Sequence, residues 1–298
     1  MTEQNAIGPE TKNGGTLSLD EALRMASQMI ERNQHSSAAR ILDQVLVASP
    51  RNRMAIDLSR KLEAPYSPDF YQTWLPGMIA AGDHMLGHLF KYHVFDTVID
   101  FGAGVGAWLN GAHKHGARKL LGIEGEWVRN MRVEGLGAPV EYLHGDLNDG
   151  GLLASLGKEE RFDLAICVEV AEHVLPERSL QLVHALCQSA PTVVFGGALP
   201  RQWGNGHINC RSHRFWADIF ASHGYRLVDF FRPYFWFHRH VPHWYAQNTF
   251  LFVSDQSPQS LKDFSPPPLL DVYHPGTVNN FVIEDHRRGM IEPDSEYL

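Results

Sequence analysis

Three groups of residues in this 298-residue chain have the types and spacing that chemistry requires. The first is "VIDFGAGVGAWL", Val98 to Leu109, in which Gly102, Gly104 and Gly106 follow Asp100 at the end of an apolar run. Glycine permits a tight turn and close approach by a ligand, and a helix N-terminus just beyond offers unpaired N–H groups. The second group is a set of acids at similar places further on: Glu124 ends "KLLGIEG" and Asp146 ends "VEYLHGD". The third is built for proton transfer. It comprises "EVAEH" (Glu169 to His173) and "RQWGNGHIN" (Arg201 to Asn209). In the first stretch Glu172 and His173 pair a carboxylate with an imidazole, the pattern of a base with an orienting partner. In the second, His207 has an ordinary pKa of about 6.5 and can take a proton near neutral pH. The bland alternatives are a helix start at Glu172, a turn cap at Asp146 and a loop tie at His207.

Such residues act together only if the chain brings them to one edge. "DTVIDFG", "KLLGIEG", "VEYLHGD", "FDLAICVEV" and "PTVVFGG" read as five apolar strands. Helices are expected from near Val105, after Pro176, and from about Ser212 to His223, where Gly224 supplies a C-terminal stop. "YRLVDFF" and "NTFLFVS" read as two last strands with no helical pattern between them, hence antiparallel. Apolar strands separated by helices predict an α/β fold, a mostly parallel sheet covered on both faces. Ligands of such sheets bind at the carboxyl ends of the strands, where all three groups fall.

The glycine loop alone also fits a nicotinamide dinucleotide. Asp100 tilts the choice, because a carboxylate repels an anionic pyrophosphate and favours a cation. S-adenosylmethionine carries an ammonium and a sulfonium. Glu124 is then placed for ribose hydroxyls and Asp146 for the adenine amino group. On these residues the sequence resembles the class I S-adenosylmethionine-dependent methyltransferases over about residues 64–254. "VIDFGAGVGAW", "GIEGEWV", "HGDL" and "FDLAICVEVAEHV" resemble four of their motifs. The resemblance implies a seven-stranded Rossmann-like methyltransferase sheet. It also implies a cofactor wall of Asp100, Gly102, Ala103, Gly104, Gly106, Trp108, Glu124, Asp146, Leu147, Val168 and Glu169. The sequence is closer still to a bacterial subgroup that often accompanies glycan and polysaccharide genes, through "GHINCRSHRFWADIFASHGYR" and "WYAQNTFLF". It departs from that subgroup at Glu124, where Asp is commoner, and at "NCRSH", residues 209–213, where Glu-Gln usually follows the Asn.

The expected reaction is methylation of a small-molecule acceptor, a sugar or glycan precursor, on oxygen. His207 leads as base, with His173 and Glu172 as the other candidates. Trp203, Asn209, Trp244 and Tyr245 are expected to meet the acceptor. "PYFWFHRHVPHWYAQ" holds six aromatic rings and three histidines in fifteen residues, which suits a sugar platform, a dimer interface or core. "YSPDFYQTWLPG" (Tyr66 to Gly77) is expected to fold over the cofactor as a lid, with Tyr66 and Tyr71 as contacts.

The rest of the chain bounds these expectations. Residues 1–17 are polar and expected to be disordered. "SLDE" at Ser18 to Glu21 matches a capping box, and helices are expected over 18–63. Their helix–turn–helix–Pro order resembles a tetratricopeptide repeat, with Ala26 and Ala38 at its small positions. Such a short array is expected to lean on the main domain, a second copy or a protein partner. Residues 255–298 are Pro-rich, a tail or lid. The net charge of −8 argues against non-specific nucleic-acid binding, and no apolar run is long enough for a membrane span. Three unpaired cysteines and no signal sequence suggest the cytoplasm. The scattered histidines and cysteines show no zinc-site spacing, so no metal is expected. Competing readings are an NAD(P)-dependent oxidoreductase and a non-catalytic adaptor.

Overall fold

The computed structural model describes residues 17–32, 35–49, 52–62, 68–128, 133, 135–158, 160–202, 204, 206–265 and 269–280. Helix α1 (Leu19–Glu31) starts at the expected capping box. The Ser18 hydroxyl accepts the Glu21 amide at 3.4 Å while the Glu21 carboxylate accepts the Ser18 amide at 2.9 Å. Ala22, Leu23 and Ala26 pack against α2 (His35–Ala48) and α3 (Arg53–Leu62) through Leu42, Val45, Ala55 and Leu58. Arg53 ion-pairs with Glu177 on the body of the fold, both largely exposed, a contact worth at most about 1 kcal/mol.

The body begins with α4 (Pro68–Phe90), then β1 (Thr97–Phe101), α5 (Ala107–Lys114), β2 (Lys119–Glu124) and β3 (Glu141–His144). Next come α6 (Gly150–Ser155), β4 (Leu164–Val168), α7 (Ser179–Ser189), β5 (Thr192–Gly196) and α8 (His213–Ser222). β6 (Arg226–Val228), α9 (Arg232–Phe235), α10 (His243–Asn248), β7 (Thr249–Val253) and α11 (Gln259–Lys262) complete it. The seven strands form one sheet in the order β3-β2-β1-β4-β5-β7-β6. The first five pair in parallel, and β7 lies antiparallel between β5 and β6. Alternate residues feed two cores. Val98, Leu164 and Ile166 face α4 and α5, whereas Ile99, Ala165 and Cys167 face α7 and α8.

The structure departs from the sequence reading in four places. Pro68–Gly77, expected as a lid, opens the 23-residue α4 instead. Its composition is apolar nearly all round, so no polar face gave it away. Tyr66 and the Tyr71 side chain lie outside the described residues. The helix crosses α5 at a pair of glycines. A Cβ on Gly111 would lie 2.6 Å from the Gly82 carbonyl carbon. The stretch between the last two strands contains α9 and α10, each too short to show a helical period. β6 is half the length expected, because the chain turns off at Asp229. Much of the expected C-terminal tail is tied to the body. Arg226 donates to the Phe264 and Lys262 carbonyls, Arg232 to those of Leu269 and Leu270, and the His274 amide to Gln247 Oε1 at 2.7 Å. Residues 1–16 and 281–298 lie outside the described residues.

Candidate active site

Strand order reverses between β1 and β4, the position where open parallel sheets form a crevice. On the β1 side, Asp100 is 3% exposed. Burial, then the nearby Glu124 charge, pushes its carboxyl well above the usual range. The loop behind it is left-handed at all three glycines, with φ of 78°, 53° and 86° at Gly102, Gly104 and Gly106. A Cβ on Gly102 would lie 2.5 Å from Val170 Cγ2. The glycines are therefore demanded by the tight, left-handed backbone path, and Gly102 also by the protein's own packing against Val170. Glu124, at the end of β2, holds the loop. Its two oxygens accept the Gly104 amide at 2.7 Å and the Gly125 amide at 2.8 Å. From β3, the Tyr142 hydroxyl donates to the Gly104 carbonyl at 3.3 Å. Burial and the Asp100 and Glu124 charges raise its pKa.

Asp146 stands after β3 as expected, and its Oδ1 closes a turn by accepting the Asn148 amide at 2.8 Å. Ala103, Leu147 and Val168 are buried apolar residues. Trp108 is 7% exposed and packs into the core, its ring 5.6 Å from that of Tyr245. It is a packing residue here, not an open face for a ligand.

On the other side of the crevice, the loops after β4 and β5 converge. Glu169 is left-handed, φ 56°, a conformation non-glycine residues keep only when the surroundings enforce it. Asn248 Nδ2 donates to its Oε1 at 2.8 Å, and Gln202 Nε2 approaches its Oε2 at 3.4 Å. Burial raises the Glu169 pKa to about 7. Glu172 is 1% exposed, and both carboxylate oxygens lack a hydrogen bond of good geometry. Burial and the adjacent Glu169 push its pKa well up. The His207 Nδ1 hydrogen-bonds the Gln202 carbonyl at 2.8 Å, which leaves the lone pair on Nε2, 4.0 Å from Glu172 Oε1. The His173 ring meets that of His207 edge-on at 4.9 Å. Burial lowers the pKa of His207 to about 4 and that of His173 to about 3, so both imidazoles are neutral at pH 7. Gly204 lies against the His207 ring, where any Cβ would overlap it.

Two expected acceptor contacts are corrected. Asn209 is 2% exposed, and its amide nitrogen donates to the Ala171 carbonyl at 3.2 Å and the Ser179 hydroxyl at 2.9 Å. Its carbonyl oxygen accepts from Arg211 at 2.8 Å. With the Ile208 and Asn209 amides both on the Glu172 carbonyl, this residue staples one loop to the other. Tyr245 is 4% exposed and sits in the core against Trp108. Trp244 is half-buried, edge-on to the exposed Trp74. Trp203 lies outside the described residues. The aromatic stretch divides: Phe235 and Tyr245 are buried, while Tyr234 and Phe237 are 51% and 82% exposed.

The residues that sequence reasoning missed are the amides. Gln202 Oε1 accepts from Gln247 and Asn248, each at 3.1 Å, and Asn248 Oδ1 accepts from Gln247 at 2.8 Å. These three buried amides position Glu169. The visible signal was "AQN", two amides directly ahead of an apolar strand. A surface pocket of 440 Å³ bordered by Asp83, His84, His88 and His115 lies against α4 and includes none of these residues.

No family model matches the sequence, and no curated protein matches it by sequence. Solved structures do resemble the fold. An O-methyltransferase family protein from Burkholderia thailandensis is 10% identical, with 85% of this chain and 81% of that one aligned at a TM-score of 0.48. A sugar N-methyltransferase from Streptoalloteichus is 12% identical over 63% of this chain and 92% of that one, TM-score 0.47. The magnesium protoporphyrin IX methyltransferase of Synechocystis, solved with S-adenosylmethionine bound, is 17% identical over 71% and 97%, TM-score 0.44. At these values the likeness adds nothing to the chemistry read from the site.

Proposed function

We propose that this chain is an S-adenosylmethionine-dependent methyltransferase that methylates an oxygen of a small molecule, a sugar or glycan precursor. The observation that carries the reading is Asp100. It is a buried carboxylate with no hydrogen-bond partner among the described residues, set behind a left-handed glycine loop at the crevice. Burying such a group is unfavourable unless a cation or donor compensates it. An ammonium-bearing ligand compensates it, whereas a dinucleotide pyrophosphate adds a second negative charge. The donor set therefore fits the cofactor. Asp100 would hold its cationic end. Glu124, at the end of β2 beside the loop, would take the ribose hydroxyls, with Asp146 towards the base.

Bound there, S-adenosylmethionine supplies a methyl carbon made electrophilic by its sulfonium. The chain's own contribution lies across the crevice. An acceptor hydroxyl must lose its proton as its oxygen forms the new bond. His207, His173 and Glu172 are the groups gathered to receive it, and the neutral imidazole of His207 directs its Nε2 lone pair into that cluster. Asn248 and Gln202 fix Glu169 on the wall between the two halves. The sugar rests on the aromatic-rich stretch Pro233 to Gln247, since the apolar faces of sugars stack on aromatic rings.

Thermal melting tests the reading. S-adenosylhomocysteine raises the melting temperature by mass action and NAD does not. Radiolabelled methyl transfer to a panel of nucleotide sugars then identifies the acceptor.

A further inference from the structure

Glu172 and His173 follow β4, and His207 follows β5. The parallel pairing of those strands brings them together. Each of the three offers one donor atom, and these atoms lie within 4.8 Å of one another. Glu172 is the decisive member. Its side chain is fully inside the protein, and neither oxygen has a hydrogen bond of good geometry. A second carboxylate, Glu169, is close by and is held by amides that carry no charge. Two buried carboxylates side by side repel when both are ionised, and either a shared proton or a cation between them removes that repulsion. The pocket around Glu172 contains a further orphan. Trp216 Nε1 is buried without an acceptor, and a Cβ on Gly197 would lie 3.6 Å from both Trp216 Nε1 and Glu172 Oε2.

The imidazoles are arranged as ligands usually are. His207 binds the Gln202 carbonyl through Nδ1 and turns Nε2 towards Glu172. His173 has the Gly206 backbone as its partner. Backbone carbonyls that fix the tautomer of a histidine are the common outer shell of metal sites.

We propose that Glu172, His173 and His207 bind one divalent transition-metal cation. Two imidazoles and one carboxylate suit manganese, iron, cobalt or zinc better than magnesium or calcium, which prefer oxygen. Bonds of about 2.1 Å require the 4.0 Å gap between His207 Nε2 and Glu172 Oε1 to close by roughly 0.6 Å for tetrahedral geometry and roughly 1 Å for octahedral geometry. Both ligands stand on loops, where such a shift is feasible. Three protein ligands leave coordination positions for other oxygens. On the transferase reading, on which this last step rests, those positions orient the acceptor hydroxyl and favour loss of its proton; with the cation bound, the His207 Nε2 lone pair is taken up as a ligand, and the base role passes to Glu169, the adjacent carboxylate.

Untagged, full-length protein stripped with a chelator and titrated with cobalt(II) alone tests the site. Visible absorption bands that saturate at one equivalent are expected, with manganese(II) depletion from its free spin-resonance signal as a second measure. Glu172→Gln and His207→Ala are each expected to weaken binding at least tenfold. Glu172→Gln replaces a buried carboxyl whose ionised form is disfavoured with a neutral group of the same shape, so it is expected to fold at least as stably as the parent, and melting verifies this. S-adenosylhomocysteine is expected to stabilise all three proteins alike, because it reads the glycine loop. Absence of saturable cobalt and manganese binding overturns the proposal. So does binding that survives in both variants, since the cation then lies elsewhere. Loss of the S-adenosylhomocysteine response alone counts against the cofactor assignment and leaves the metal result standing.

Discussion

Asn248 Nδ2 donates to Glu169 Oε1 at 2.8 Å, joining the residue ahead of β7 to the left-handed end of β4. This bond spans two strands that are not neighbours, because β5 lies between them. It makes the acid side of the crevice depend on the last strand of the sheet. Replacing Asn248 by Ala leaves a buried carboxylate without its donor and empties the amide cluster. The expected loss is about 1–3 kcal/mol, read as a lower urea midpoint with an unchanged slope. An unaltered midpoint would mean that the amide contributes nothing.

Asp100→Asn separates stability from binding. The amide has the same shape and no charge, so the ligand-free protein should melt higher than the parent at pH 7, while its response to S-adenosylhomocysteine disappears. A variant that still responds fully rules out the assigned role.

The same carboxyl predicts a pH dependence. Its pKa in the folded protein lies above the ordinary value of 3.8, so the folded state holds the proton more tightly than the unfolded chain. Its contribution to stability is therefore greatest at low pH and falls as pH rises from about 3.8 through the folded value. Binding an ammonium favours the ionised form, so S-adenosylhomocysteine affinity should weaken as pH drops through that value. Calorimetry in two buffers of different ionisation enthalpy should detect one released proton, and the signal should vanish in Asp100→Asn.

Gly102 and Gly224 share a left-handed backbone, φ 78° and 79°, but differ in surroundings. Space around Gly224 is open, whereas Val170 fills the space beside Gly102. Gly224→Ala should lose about 1 kcal/mol, the backbone penalty alone. Gly102→Ala should lose clearly more and weaken cofactor binding as well. Equal losses would show that the Val170 contact yields freely.

His207→Ala should lower methyl transfer by about 10²- to 10⁴-fold and leave S-adenosylhomocysteine binding intact. Turnover at the parental rate removes His207 from the reaction.

The strands at the heart of the sheet were readable, because β1, β4 and β5 are short, mostly apolar runs buried on both faces, and buried strands need no alternation. So were Asp100, Glu124 and the glycines, whose places follow from where those strands end. What escaped was whatever depends on packing between distant segments. Helix α4 lacks a polar face, so periodicity had nothing to detect. Asn209 and Tyr245 looked like ligand contacts by residue type alone, and only the folded neighbourhood shows them occupied with Ser179 and Trp108. The meeting of His173 with His207 was invisible in spacing, since it is created by the pairing of β4 with β5.

β7 has one further consequence, for biosynthesis. It leaves the ribosome after β6, yet it must slot between β5 and β6. Until about residue 253 emerges, β5 presents a bare, mostly apolar edge, the sort of surface that recruits stray strands. A nascent or truncated chain ending before Asn248 would keep that edge bare and would also lack the residue that clasps Glu169.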